Sequence, residues 1–138
     1  MNAASAYQRR AIEGATPVGL VVLLYQGAVV QLRRAIAAME TQPQTVRDIE
    51  IRTSALNRVL AIIGELQRVL DFQRGGDIAR NFDHFYRLAQ SAIMQAVANN
   101  DAQPLRDLLP QLEKILQAWR SVETRPPAPS AGAAAWTA

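Results

Sequence analysis

The sequence predicts an all-α protein: an antiparallel up-down four-helix bundle with a short N-terminal helical segment packed on it. Apolar residues recur at helical spacing along four stretches of about 20 to 27 residues, which at the rise of an α-helix gives rods of roughly 30 to 40 Å. The connections between them are short and built from Pro, Gly, Asn and Asp, and short connections make successive helices antiparallel neighbours. The chain has 138 residues, 49% of them hydrophobic and 20% charged, which suits one globular domain with a real core.

The first stretch organises the rest. Thr16 and Pro17 suit an N-cap and a first helical residue. From Val18 to Met39, at 100° per residue, Val21, Leu24, Ala28, Leu32, Ala35 and Met39 form an ordinary core stripe. The surplus lies elsewhere: Leu23 and Val30 point nearly opposite, flanked by Gly19 and Gly27, while Val18, Val22, Tyr25, Val29 and Ile36 fill the arc between. A helix that is apolar nearly all round must be covered on more than one side, by the same chain or by a partner.

Pro43 breaks the chain after this helix, and a second helix is expected from about Thr45 to Phe72. Ile49, Leu56, Leu60, Ile63 and Leu70 share its core face; Ile51, Ala55, Ile62 and Val69 form a second stripe, interrupted by Arg58. Gln73 to Asp77 should end it, with the glycines supplying a positive φ and Asp77 capping the next helix; no phosphate-loop spacing surrounds the glycine pair. The third helix, about Ile78 to Asn99, places Ile78, Phe82, Phe85, Ala89, Ala92 or Ile93, and Ala96 inward and leaves His84 off that stripe. The fourth runs from about Pro104 to Val122 on Leu105, Leu108 or Leu109, Leu112, Ile115 or Leu116, and Trp119, with a bend or broken turn expected between Arg106 and Pro110. Residues 1–16 carry Tyr7 and Ile12, enough for a short segment lying over an apolar groove as a lid; 17–123 form the bundle; 124–138 read as a disordered Pro/Ala-rich tail.

Chemistry is missing from this pattern. There is no cysteine and one histidine, so disulfides, thiolate catalysis and a metal site find nothing to build on, and no cofactor is expected. Carboxylates fall at spacings such as Asp48 to Arg52 and Asp83 to Arg87, which suit surface ion pairs, and the Glu-x-x-His arrangement of di-iron bundles is absent. An enzyme is therefore not expected. The net charge is only +3 and the arginines are scattered over every helix, which disfavours nucleic acid. Arg9-Arg10 and the uncharged run to Leu32 imitate a secretory signal, but Pro17, Gln26 and Gln31 interrupt it and Arg33-Arg34 follow it; the expectation is a cytoplasmic protein without membrane insertion.

Several stretches resemble the flagellin-specific export chaperone family, FliS. Tyr7-Gln8, Ala15-Thr16-Pro17 and the run Leu20 to Val29 resemble its N-terminal signature. Leu70-Asp71, then Gly75 to Phe82 and Phe85-Tyr86, resemble its central one, and Ala98-Asn99 to Asp101 and Ala118-Trp119 are similar to its late positions. The likeness spans about residues 5 to 122. Gln26 stands where the family usually has an acidic residue, and Pro110 is foreign to its fourth helix.

The resemblance implies a cytoplasmic helical bundle that binds the disordered C-terminal segment of flagellin, prevents its premature polymerisation, and keeps it ready for export, with the flagellar export gate as a further partner. It also implies that the N-terminal stretch covers part of the groove when the partner is absent. Helix-in-groove recognition fits the apolar surplus. The partner-binding residues expected on these grounds are Tyr7, Ile12, Leu23, Tyr25, Gly27, Val30, Ile51, Ile62 and Val69. Two rival readings use the same pattern, a homodimeric structural bundle and a weak nucleic-acid-binding bundle.

Overall fold

Four α-helices make up most of residues 17–124, the part of the chain described by the computed structural model: α1 Pro17–Glu40, α2 Val46–Arg68, α3 Phe72–Asn99 and α4 Gln103–Glu123. The protein is an all-α bundle. α1 packs against α2 and α4, and α3 packs against the same two, so α1 and α3 face each other across the diagonal. Cross-helix polar pairs give the sense of packing. Glu40 pairs with Arg106 and Arg33, seven residues earlier, with Glu113, seven later; Arg52 bonds Asn100 and Gln67 bonds Asp83. That order is the one required of neighbours running in opposite directions. The N-terminal segment with Tyr7 and Ile12, and the tail from residue 125, lie outside the described residues.

Local chemistry sets the boundaries. The connection after α1 holds a cis Gln42–Pro43 bond, and Thr45 then closes a capping box: its hydroxyl accepts from the Asp48 N–H at 3.1 Å while its own N–H donates to Asp48 Oδ2 at 2.9 Å. α2 ends at Arg68 rather than at Phe72. Asp71 is the reason, because its carboxylate accepts from the N–H groups of Gln73 and Arg74 and starts a new turn before the glycines are reached. The positive φ expected of the glycine pair is found at Gly76, +50°, but inside the span of α3, where it makes a kink instead of a connection. Asp77, the expected cap, pairs with Arg80.

The expected break in α4 is absent: the helix is unbroken from Gln103 to Glu123 with Pro110 inside it. Pro110 faces solvent, on the side where helix carbonyls tilt outward and are hydrated, so the lost N–H donor leaves no buried acceptor.

The core follows the stripes with adjustments. Leu105, Leu108, Leu112, Leu116 and Trp119 of α4 are all buried, as are Leu56, Val59, Ile63 and Leu66 of α2 and Ala89, Ile93 and Ala96 of α3. Ile49 is not; it is 42% exposed, because Arg52 one turn later already meets Asn100 where α3 ends, so Ile49 projects past that end. Leu60, Phe82 and Phe85 are half-buried. In α1 the inward face is turned toward Tyr25: Val22, Tyr25, Val29 and Ile36 are buried along with Val21, Ala28, Leu32, Ala35 and Met39, while Leu24 is only half-buried.

Candidate functional site

The outer face of α1 and its seam with α2 gather most of the expected binding residues. No charged side chain occurs in α1 before Arg33, so its first four turns present only apolar and amide groups outward. Leu23 and Gly27 are half-buried there and Val30 is 54% exposed. Across the seam, Ile62 of α2 lies against Gly27: a Cβ built on Gly27 would sit 3.2 Å from Ile62 Cδ1. The missing side chain lets the two helices approach closely and leaves a shallow apolar surface above the contact. Ile51, about three turns before Ile62 on the same side of α2, and Val69, about two turns after it at the C-cap, are also half-buried. Half-buried apolar side chains on neighbouring helices form a surface suited to the apolar face of another helix, with Arg58 and Glu65 of α2 sharing the side of Ile62 by helical spacing.

Tyr25 is the exception among the expected site residues. It is fully buried, and its hydroxyl meets that of Tyr86 at 2.8 Å across the diagonal of the bundle. Tyr25 is therefore a core residue and not a surface contact. Helical spacing supports this after the fact, since Tyr25 stands between Val21 or Val22 and Ala28 or Val29, all buried. Burial pushes both hydroxyls far above the ordinary phenol range, with the mutual bond lowering Tyr25 and raising Tyr86. Phe82 stacks on Tyr86 at a centroid distance of 6.1 Å and lies 5.9 Å from Trp119, so the pair sits at the inner end of an aromatic cluster.

A second apolar surface was not read from the sequence. Phe85, Leu88 and Ala92 of α3 and Pro104, Asp107 and Gln111 of α4 line a groove of about 270 Å³. Leu88, 55% exposed, forms its rim. The signal was present as a leucine standing off the core stripe of α3, next to small residues at Ala89 and Ala92.

Nothing in the described residues resembles a reaction centre. No three His, Asp or Glu side chains come together among them as a metal site, and His84 is exposed. Carboxylates meet cations on exposed helix faces in Glu50–Arg47 and Asp77–Arg80, and the half-buried Asp83 is paired with Arg87. α1 is long and apolar enough to cross a membrane by length and composition, but half of its most apolar window is buried in the bundle, so core packing accounts for that half.

A family model described as "Flagellar protein FliS" matches residues 1–126. The chain is 31% identical over 126 residues to the flagellar secretion chaperone FliSB of Pseudomonas aeruginosa, covering 88% of this chain and 96% of that one. It is 32% identical over 111 residues to the flagellar secretion chaperone FliS of Vibrio cholerae, covering 80% and 78%. The figure for the protein of that name from Salmonella typhimurium is 30% over 116 residues, covering 83% and 82%. The family model runs through all four helices, and the chain thus belongs to the FliS family, whose relatives from Pseudomonas aeruginosa and Vibrio cholerae are named as chaperones and not as enzymes.

Proposed function

We propose that this protein is a cytoplasmic flagellar secretion chaperone that holds the disordered C-terminal segment of flagellin on the outer face of α1 and its seam with α2, and so keeps the subunit from polymerising before export. Membership of a family whose relatives are named flagellar secretion chaperones supports the export role. The observation that carries the choice of surface is the uncharged outer face of α1, with Val30 at 54% exposure beside the Gly27–Ile62 contact. Charge-free helix surface of this length would otherwise be a solubility liability, and covering it with apolar anchors spaced i, i+3, i+4 and i+7 removes it from water. A segment that orders on binding loses part of the interaction to entropy, so a long wrapped contact is needed for useful affinity.

Calorimetric titration with a flagellin C-terminal peptide tests the reading. Saturable binding with a negative heat-capacity change is expected, as burial of apolar surface requires. Absence of binding, together with a concentration-dependent dimer in light scattering, would instead assign the same face to self-association.

A further inference from the structure

Tyr25 and Tyr86 head the fully buried side chains by size among the described residues, and they belong to the two helices that face each other across the diagonal. Their hydroxyl-to-hydroxyl bond lies inside an otherwise apolar core. What it does follows from the character of α1. An amphipathic helix is fixed in rotation because turning it would bury charge. The first four turns of α1 have no charge to bury, and turning them would exchange buried apolar residues such as Val22 and Val29 for the half-buried Leu20 and Leu24. The ion pairs Arg33–Glu113 and Glu40–Arg106 lie toward the other end, on side chains 40% or more exposed, and exposed pairs constrain geometry weakly.

We infer that the Tyr25–Tyr86 hydroxyl bond sets the rotation of α1 in the bundle, making these two tyrosines positioning residues that keep Leu23, Gly27 and Val30 on the outside. Tyr25 stands two residues from both Leu23 and Gly27, so at about 100° per residue it points roughly 160° away from each. The hydroxyl bond and the Gly27–Ile62 contact therefore hold α1 from opposite sides. In any other rotation the Tyr25 hydroxyl loses its partner among apolar side chains, and a buried polar group without a partner selects against that state. The benefit to recognition rests on the proposed function; the control of rotation does not.

The chain has no cysteine, so single thiols can report which face of α1 is turned inward. Ala28→Cys, at a fully buried position of α1, and Ala96→Cys, at a fully buried position of α3, are alkylated with iodoacetamide under native conditions in the natural background and in Tyr25→Phe/Tyr86→Phe. Ala35→Cys replaces Ala28→Cys if that variant fails to fold. The double Phe background is expected to accelerate alkylation at Ala28→Cys about tenfold or more while leaving Ala96→Cys protected, because α1 alone samples other rotations. An unchanged rate at Ala28→Cys overturns the inference, and so does equal acceleration at both positions, which is general loosening. If Ala28→Cys alone responds but binding of a flagellin C-terminal peptide is unaffected, the rotation control stands and the placement of the partner face on α1 fails.

Discussion

Gly27 of α1 and Ile62 of α2 meet so closely that any side chain at position 27 would press on the terminal methyl of Ile62, 3.2 Å from the Cβ position. Both residues were expected at a partner surface, and they do lie together, but as the floor of the seam where the two helices cross.

That contact predicts a coupled pair. Gly27→Ala gains helix propensity, about 1 kcal/mol at most, and meets a methyl that must shift by a few tenths of an ångström. The single change should alter stability by under about 1 kcal/mol, because the two effects oppose each other. Ile62→Val removes the crowding atom, so the double variant should be more stable than the sum of the singles predicts, by about 0.5 kcal/mol or more. A urea-unfolding double-mutant cycle measures the term, and strict additivity would show that the contact exerts no pressure.

The capping box at the start of α2 predicts an acid response. The Asp48 carboxyl is held below its ordinary range, first by the Thr45 backbone N–H and then by the Thr45 hydroxyl. A carboxylate whose pKa is lower folded than unfolded stabilises the fold fully above its unfolded value, and that contribution disappears as pH falls through the folded one. Asp48→Asn should therefore flatten the acid limb of the stability profile below about pH 4 and leave the neutral-to-basic part parallel to the natural protein. Thr45→Ala should cost about 1 kcal/mol at neutral pH through loss of the cap. Thermal unfolding across pH checks both.

Pro110 predicts a stabilising substitution. The helix runs through it without a break, so the chain bears the missing hydrogen bond and the crowded Arg106 carbonyl instead of avoiding them. Pro110→Ala should restore the bond on an exposed face and raise stability by about 1 to 3 kcal/mol. An unchanged or lowered midpoint in urea would mean that the bundle has adapted to the proline.

Pro110 also marks where sequence and structure part. Periodicity was enough for the four helices and for Leu105, Leu112 and Trp119 in the core of α4, while the choice of Leu108 over Leu109 and of Leu116 over Ile115 came from the packing. It failed at Asp71, where a side-chain cap outweighed the glycine pair, and at Ile49, whose exposure depends on where α3 ends and not on α2 itself. In α1 the limit was deeper. Apolar residues on every side gave no direction for the core, so Tyr25 could be read as surface although it is fully buried; its partner Tyr86, sixty-one residues away, is what fixes it. Within the proposed binding face, Leu23 and Val30 on α1 and Ile51, Ile62 and Val69 on α2 could each be grouped by spacing alone, whereas the groove rimmed by Leu88 depends on how α3 meets α4.

The last prediction separates binding face from core. Ile63 is fully buried, and Ile63→Ala should cost about 2 to 5 kcal/mol by lost burial and the cavity left behind. Val30, one helix away and 54% exposed, supports nothing inside the bundle, so Val30→Asp should change stability by no more than about 0.5 kcal/mol. Its effect on recognition should be the reverse. A carboxylate at that position stays hydrated in the free protein and loses its water only when an apolar partner covers it, which opposes the bound state alone. A central contact of this kind is worth about 2 kcal/mol, so flagellin-peptide affinity should fall by roughly thirtyfold for Val30→Asp. For Ile63→Ala, measured where the variant is still folded, affinity should hardly move. Thermal unfolding and calorimetric titration of the two variants side by side decide it: if Val30→Asp binds the peptide as the natural protein does, the partner lies elsewhere, and the groove between α3 and α4 becomes the surface to test, through Leu88→Asp.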